Sequence, residues 1–185
     1  MMVAARSISS LLIFVAVTHA QGDAAKALEQ AENGRCSEVL GTLTELGKAL
    51  PANGNVAAEL GRCQRKTGDT DGAKASIARA EQLKADSWRL LANKAEIAFA
   101  GRQFTEALDL AEEALGLKAN YLPALEVKGR VLVQQRNYAP AIEVLEEVFH
   151  RAPSREACLD LAKAQGATGA ADEEKALLAK CPAGR

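Results

Sequence analysis

A pattern that recurs with a 34-residue period is the feature that most constrains how this chain can fold. It occurs twice between Ser87 and Pro153, and each copy begins with apolar or small residues separated by four and then three positions, which is one face of an α-helix. The copies are Leu91, Ala95, Ala98, Phe104, Ala107, Ala111 and Ala114, and then Leu125, Gly129, Leu132, Tyr138, Ala141, Leu145 and Val148. A period of this length indicates stacked units of supersecondary structure.

The same offset continues in both directions along the chain. Toward the N-terminus, a third copy and a fainter fourth are Ala57, Gly61, Ala73, Ile77 and Ala80, and then Ala27, Val39, Leu43 and Leu46. Beyond Pro153, a further helix pair loses one residue of register and carries Glu174 near the place of a small apolar residue. We interpret this last pair as a polar cap that closes the stack.

Serine and proline residues mark several helix boundaries. Ser37, Ser87 and Ser154 are predicted to cap the helices that follow them, and Pro140 falls in the first turn of a helix, where its missing N–H costs little. Helices are predicted at about residues 23–33, 56–66, 71–83, 105–117, 122–134, 139–151, 154–165 and 172–180. Trp88, near the start of the fifth helix, is interpreted as a packing anchor between repeats, with the rim of a ligand groove as the alternative.

This spacing resembles that of the tetratricopeptide repeat, a 34-residue helix–turn–helix unit. The family has a small residue midway along its first helix, a small residue between the helices, a bulky residue opening the second helix, and a closing proline. The small residue of the first helix is Gly61, Ala95 or Gly129, and the small residue between the helices is Gly34 or Gly68. The bulky residue is Phe104 or Tyr138, and the closing proline is Pro51 or Pro153. Ala85 and Ala119 replace the proline in the two middle copies.

The resemblance implies an all-α fold, a right-handed α-solenoid of about five antiparallel helix hairpins. It covers residues 54–153 well and 23–53 more weakly, and no long Pro/Gly/Ser linker divides the chain. We therefore expect one solenoid domain over residues 21–185. Its repeats are predicted at about 20–53, 54–87, 88–121 and 122–155, with a capping hairpin at 156–181.

Residues 1–20 have the layout of a secretory signal peptide. A short basic region with Arg6 precedes an apolar run at 8–17, which is too short to favour a membrane span. We predict cleavage near Ala20, with an uncleaved anchor as the alternative. Export to the periplasm of a bacterium is the favoured localisation, although a secreted protein has the same layout.

The overall charge balance favours neither nucleic acid nor an anionic membrane as a partner. The chain has 23 basic and 24 acidic side chains, and loss of Arg6 with the signal peptide would leave 22 against 24. His150 is the one histidine beyond the predicted cleavage point, and we interpret it as a structural residue at a helix C-terminus. One histidine is too few for a zinc site built on histidines, and it makes a serine triad improbable.

Acidic side chains that follow one another in sequence do not suggest an active site. The three pairs are Glu112-Glu113, Glu146-Glu147 and Glu173-Glu174. Neighbours on a helix diverge in direction, whereas paired acid and base groups must converge in a cleft. No phosphate-binding glycine loop, haem motif or acidic metal loop occurs in the sequence. We therefore predict no enzymatic activity, no cofactor and no metal.

The four cysteines suggest disulfides in an exported protein. Three connectivities are possible, and spacing alone leaves them open. In the repeat geometry that the resemblance implies, the start of one helix lies beside the end of its antiparallel neighbour, which predicts bridges Cys36–Cys63 and Cys158–Cys181 at the two ends of the stack. Four buried free thiols are the alternative; a four-thiolate zinc site is disfavoured because no CxxC pair occurs.

Similarity to the family implies a partner-binding groove lined by the first helix of each repeat. Transferring the family's groove positions gives Arg62, Arg65, Lys66, Arg89, Glu96, Phe99, Glu126, Arg130, Val133 and Gln134, together with Asn55, Ala58 and Ala92. These residues include five basic and two acidic side chains. The interpretation predicts a protein or peptide partner with carboxylate groups, such as a chain terminus; ordinary solvated helix residues are the alternative.

The sequence thus predicts a non-catalytic interaction scaffold or adaptor in the bacterial cell envelope, serving assembly or secretion of envelope components. Two other functions compete with it. One is an accessory or regulatory subunit of an envelope enzyme complex, which would co-purify with an active partner. The other is a self-assembling structural protein, which light scattering would detect. The oligomeric state is left open.

Overall fold

The computed structural model describes the backbone of residues 4–182 and the side chains of residues 18–182. These residues form helices joined by short turns, and no strand occurs among them. The helices are α1 (Ala4–Glu32), α2 (Cys36–Ala49), α3 (Gly54–Lys66), α4 (Thr70–Gln82), α5 (Ser87–Ala100), α6 (Phe104–Leu117), α7 (Leu122–Gln134), α8 (Tyr138–Arg151), α9 (Arg155–Ala167) and α10 (Ala171–Leu178). The predicted all-α class is confirmed.

The segment predicted to be a signal peptide is described only in part, since residues 1–3 and the side chains up to position 17 lie outside the described part of the chain. The backbone of α1 begins at Ala4, so the prediction of a helix start at Asp23 is wrong. The sequence from Ala4 to Glu32 contains no proline that would end the helix. Within the described part of the chain, no helix is both long and apolar enough to cross a bilayer.

The chain divides into two compact units, Met1–Asp86 and Ser87–Arg185. In the first unit α1 to α4 pack in order, and α1 also contacts α3. In the second unit α5 to α10 pack in order, and α7 also contacts α5 on one side and α9 on the other. The odd-numbered helices of each unit therefore lie side by side, as stacked hairpins require.

The core of each unit is formed by the periodic faces that the sequence shows. In the first unit, Val39, Leu43 and Leu46 of α2 pack with the small residues of α1 and with Val56 of α3. In the second unit, alanines of α5 and α6 pack against valines of α7, and Leu132, Leu145 and Leu161 join α7, α8 and α9. The buried members of the second-unit spine include Ala95, Ala98, Ala107, Ala111, Ala114, Leu125, Leu132, Ala141, Leu145 and Val148.

Two glycines allow the helices of a hairpin to approach closely. A Cβ atom added to Gly61 of α3 would lie 2.7 Å from Cγ1 of Ile77 and 3.1 Å from the carbonyl oxygen of Ala73, both in α4. A Cβ atom at Gly129 of α7 would lie 2.7 Å from Cδ2 of Leu145 in α8. Contacts this short force neighbouring atoms to move, so each seam is fitted to a residue without a side chain.

The turn inside each hairpin repeats the same backbone conformation. Gly34, Gly68, Arg102 and Arg136 have φ angles of 81°, 93°, 61° and 60°, and they are separated by the 34-residue period. The last hairpin has Gly169 at φ 89°, one residue short of that register. Glycine adopts this left-handed conformation readily, whereas a side chain makes it less favourable. The stack therefore imposes one turn geometry whether or not glycine is present.

Helix capping agrees with the sequence at one of the three predicted serines. The Ser154 hydroxyl accepts a hydrogen bond from the Ala157 N–H at 3.1 Å and caps α9. The prediction for Ser37 is wrong, because α2 begins one residue earlier, at Cys36, and has no side-chain cap. Ser87 is itself the first residue of α5, which places it inside the helix. Helices α3 and α4 are capped by the side chains of Asn53 and Asp69.

The structure brings the cysteines together in the pairs expected. Cys36 at the start of α2 and Cys63 near the end of α3 are bonded, with their Cα atoms 4.8 Å apart. Cys158 in α9 and Cys181 beyond α10 are bonded, with their Cα atoms 5.6 Å apart. All four cysteines belong to the described part of the chain, and none of them is left free there. The second bridge holds a short helix that contributes no buried residue of its own.

Replacement of Gly61 by alanine should destabilise the protein by about 1–3 kcal/mol, because the new methyl group meets Ile77 and the backbone of α4. Gly41 of α2 is the matched control, since a Cβ atom there has nothing within 4 Å. Gly41→Ala should stabilise by about 0.5–1 kcal/mol through its helix propensity. Urea unfolding followed by circular dichroism measures both changes. Equal changes of the same sign would contradict a close approach at Gly61.

Removal of the C-terminal bridge should release α10 first. In Cys158→Ala/Cys181→Ala, the amide protons of α10 should exchange faster than those of α7 and α8, and stability should fall by about 2–4 kcal/mol. Hydrogen exchange read by mass spectrometry resolves the helices. Cys36→Ala/Cys63→Ala is the matched pair and should loosen the first unit instead. Unchanged protection of α10 would mean that its apolar contacts suffice to hold it.

Candidate interaction surface

One side of α7 is left uncovered by the helices around it. Residues on the other sides of this helix pack on α5, α6, α8 and α9, and most of the residues from Leu122 to Val133 are buried. Glu126, Arg130 and Gln134 follow one another at intervals of four along the uncovered side. Arg130 meets side chains of α5 and α9, and these residues are the centre of a surface that we call the Arg130 face. Its members are Phe99, Glu126, Arg130, Gln134, Glu156, Leu159 and Asp160.

Arg130 joins the three helices at the middle of this face. Its guanidinium carbon lies 4.2 Å from the centre of the Phe99 ring on α5, a cation–π distance. Its Nη2 atom is 2.6 Å from a carboxylate oxygen of Glu156, and its Nε atom is 3.6 Å from one of Asp160, both on α9. The Arg130 side chain is 29% exposed, so it is partly desolvated and still reachable from water. Its charge is already matched by carboxylates of this protein.

The start of α9 fixes the position of these two carboxylates. The Ser154 cap sets the first turn of the helix, and Glu156 lies within that turn, where the helix dipole favours a negative charge. Asp160 follows one turn later on the same side, and Leu159 lies beside Glu156 on the side away from Asp160. The Glu156 side chain is 56% exposed and Leu159 is 44% exposed. This strip of α9 therefore offers both charge and apolar area to solvent.

The surroundings of the Asp160 carboxyl disfavour its ionised form. Burial raises its pKa above the usual value of 3.8, the Arg130 guanidinium opposes the rise only in part, and the Glu156 carboxylate adds to it. Lys163, one turn further along α9, also opposes the rise. Burial of the Asp160 carboxyl is therefore the main cause of its raised pKa, and it outweighs the attraction of the Arg130 charge.

Several residues predicted to be exposed in a groove are buried instead. Arg62 and Val133 are each 1% exposed, and Arg89 and Glu96 are each 5% exposed. Ala58 and Ala92 are buried as well. The prediction that these side chains face a partner is therefore wrong for the structure as it stands.

The burial of Arg62 has a clear physical cause in the first unit. Its Nε donates to a carboxylate oxygen of Glu59 at 2.8 Å, and its Nη2 donates to the backbone carbonyl of Ala31 in α1. The pair is 1% exposed on both sides. An Arg62→Glu substitution would place two carboxylates together in a buried place, so it would unfold this region rather than test partner capture.

The other predicted positions have varied surroundings. Lys66 and Gln134 are exposed, and Arg65, Phe99, Glu126 and Arg130 are half-buried. Asn55 donates a hydrogen bond to the Asp86 carboxylate at 2.7 Å and accepts one from the Asp86 N–H at 2.7 Å. The structure brings together Phe99, Glu126, Arg130 and Gln134 in the second unit; Arg65 and Lys66 belong to the first unit.

The predicted basic character does not hold for the Arg130 face. Arg89 is buried beside Trp88, and Arg130 is paired with Glu156 and Asp160. Both of these acidic partners lie on α9, beyond the fourth repeat, and were therefore not among the predicted groove positions. Asp160 lies one repeat period after Glu126, so the same offset applied once more would have found it.

Residues considered for chemistry are placed apart from this face. His150 is exposed near the end of α8, and the sequential pairs of glutamates on α6 and α8 point into solvent. Glu112 accepts a hydrogen bond from Lys128 at 2.8 Å. Among the described residues, no group of histidine, cysteine and carboxylate side chains has an arrangement that could hold a metal ion.

Trp88 has the packing role that we favoured. It lies partly buried against Ala92, Tyr121 and Ala124 in the second unit. The Lys118 ammonium lies 5.5 Å from the Trp88 ring and 5.4 Å from the Tyr121 ring. The tryptophan therefore anchors the junction of α5, α6 and α7.

Comparisons with known proteins identify the fold. No protein-family model and no curated protein matches the chain. PilF of Pseudomonas aeruginosa has a similar structure, with a TM-score of 0.55 and 16% identity over 92% of this chain and 79% of PilF. Two structures of MamA have TM-scores of 0.50, one at 20% identity over 90% of each chain and one at 21% identity over 83% of this chain and 90% of MamA.

These neighbours are solenoids of the tetratricopeptide repeat type, so this chain has the fold of that class of protein. The resemblance inferred from Gly61, Gly129 and the 34-residue period is thereby supported at the level of fold. Identities of 16% to 21% show the fold alone. What the protein binds has to be argued from its own surface.

The raised pKa of Asp160 predicts the pH dependence of stability. A carboxyl group that holds its proton more tightly when folded stabilises the protein at low pH, and this contribution is lost as pH rises through the folded pKa. The stability of the wild type relative to Asp160→Asn should therefore fall as pH rises above 3.8 and then become constant. Urea unfolding at a series of pH values measures the difference. A difference that grows with pH would mean that Arg130 dominates and lowers the pKa.

Proposed function

We propose that this protein is a non-catalytic interaction scaffold, which binds a segment of another protein on the Arg130 face. The observation that carries the proposal is the uncovered side of α7. This helix is buried by neighbours on its other sides, yet it keeps a row of polar side chains open between α5 and α9. A row of this kind on a rigid helix layer is a suitable place for a partner segment.

Rigidity around Arg130 supports this use of the surface. The guanidinium is fixed by the Phe99 ring and by two carboxylates, so little side-chain entropy is left to lose when a partner binds. Part of the Phe99 ring and the Leu159 side chain add apolar area beside these charges. Polar groups around a small apolar centre are the usual composition of a protein interface.

We further propose that the protein acts in the envelope of a bacterium, in the periplasm, as an adaptor in assembly or secretion of envelope components. Two bonded cysteine pairs are consistent with an oxidising compartment. The N-terminal pattern of Arg6 followed by an apolar run supports export by the secretory route.

Site-specific photocrosslinking tests the interaction surface. A photoreactive phenylalanine at the position of Gln134, which is exposed on α7, should give discrete adducts in an envelope extract, and they should weaken with Arg130→Gln. The same group at the position of Glu146, which is exposed on α8 outside the Arg130 face, is the matched control and should give few. Adducts at both positions alike, or at the control alone, would place the interaction elsewhere.

A further inference from the structure

We propose that the disulfide between Cys158 and Cys181 is a reversible thiol-exchange site, at which Cys181 takes up a small external thiol. The disulfide between Cys36 and Cys63 is, by contrast, a permanent structural bond. This inference does not depend on the Arg130 face or on a partner that binds there. The two bridges differ in how deeply they are buried and in what holds the helices that they join.

The first difference concerns the accessibility of the cysteines. Thiol–disulfide exchange requires a thiolate to reach one sulfur of the bridge, and its rate depends on that access. Cys36 is 4% exposed and Cys63 is 0% exposed, and both belong to the apolar core of the first unit. Cys158 is also 0% exposed, but Cys181 is half-buried and lies beyond the end of α10. Among the four cysteines, Cys181 is therefore the one that a thiol from solution reaches most easily.

The second difference concerns the small amount of structure that holds Cys181 in place. The α10 helix contributes no buried residue, and its Leu177 side chain packs against the core of α7, α8 and α9. Beyond the helix, the Cys181 N–H donates to the Leu178 carbonyl at 3.4 Å, and Arg155 donates to the Pro182 carbonyl at 3.4 Å. Both distances are long for hydrogen bonds of this kind. Local opening of this end therefore costs little free energy, and it gives a thiol room to reach Cys181.

The first bridge lies in a part of the structure that does not open locally. Cys36 and Cys63 pack in one cluster with Val39 and Leu43 of α2. Arg62, which precedes Cys63, is 1% exposed and donates to the backbone carbonyl of Ala31 in α1. Separation of α2 from α3 would expose this core to water, so exchange at Cys36 or Cys63 requires unfolding of much of the first unit.

The exchange reaction is balanced in atoms and electrons. A thiolate attacks Sγ of Cys181, a new S–S bond forms there as the bond to Sγ of Cys158 breaks, and the electron pair of the broken bond stays on Cys158. Cys158 then takes a proton from water. Its Sγ lies 3.7 Å from the Leu177 carbonyl oxygen, which can accept a weak hydrogen bond from the new thiol while α10 stays docked. Attack by Cys158 on the mixed disulfide expels the small thiol and restores the bridge.

Reaction with reduced glutathione, followed by alkylation of the free thiols and peptide mass spectrometry, tests the inference. Early in the reaction of the oxidised wild type, glutathione should be found on Cys181 and the alkyl group on Cys158. This pair should open at least about tenfold faster than Cys36–Cys63, because it needs only local opening. Equal rates for the two pairs, or glutathione on Cys158 instead of Cys181, would overturn the inference.

Urea below the unfolding transition separates local opening from larger unfolding. The exchange rate at Cys36–Cys63 should rise steeply with urea, because much surface is exposed in the opening that precedes the reaction. The rate at Cys158–Cys181 should change little, since α10 buries no residue. A parallel rise at both pairs would mean that each opens by the same large unfolding, which contradicts a local site at Cys181.

Two adjacent leucines of α10 provide a matched pair of variants. Leu177 packs on the core cluster, whereas Leu178 is 44% exposed. Leu177→Ala should speed the exchange at Cys181, because it weakens the hold on α10, and Leu178→Ala should leave the rate nearly unchanged. Circular dichroism melts check that both variants are folded. If Leu177→Ala exchanges no faster than Leu178→Ala, movement of α10 does not control the site and the inference fails.

Discussion

Close approach of the two helices in the α3–α4 and α7–α8 hairpins is the constraint on which the rest of this structure depends. At Gly61 and Gly129 the seam leaves no room for a methyl group, and Ala95 occupies the equivalent place in the third repeat. Helices packed at such short range must keep one register, since a shift of one residue would place a larger side chain in the seam. A fixed register requires a fixed repeat length, which agrees with the constant 34-residue period of the sequence.

The features that follow from this period could be predicted, and those that depend on individual partners could not. Buried faces such as Val39, Leu43 and Leu46 were visible because helical spacing alone determines them. Arg62 was misjudged because its burial depends on a tertiary contact with the carbonyl of Ala31, which no local pattern encodes, although its other partner, Glu59, lies three residues earlier on the same helix. The carboxylates that pair with Arg130 lie on another helix, and the repeat offset locates Asp160 but does not show that it contacts Arg130.

The turns show how strongly the stack overrides local preference. Gly34 and Gly68 adopt the left-handed conformation without strain, but Arg102 and Arg136 adopt it too, at φ 61° and 60°. A non-glycine residue in this region costs on the order of 1 kcal/mol or more, so the packing of α5 on α6 and of α7 on α8 must exceed that cost. A prediction based only on glycines in the turns would therefore miss two hairpins that the apolar faces of the helices predict.

The C-terminal disulfide occurs where the apolar packing is thinnest, because α10 buries no residue. The N-terminal disulfide lies in the first core, which α1 meets mainly through the small side chains of Ala24, Ala27 and Ala31. One bridge joins the start of α2 to the end of α3, and the other joins α9 to Cys181, which lies beyond α10. Helices α7, α8 and α9 are instead held together by leucine and valine side chains. A disulfide restricts the unfolded chain without needing apolar area. It can therefore hold α10, which burial alone would leave open, against α9, the helix that carries three of the side chains of the Arg130 face.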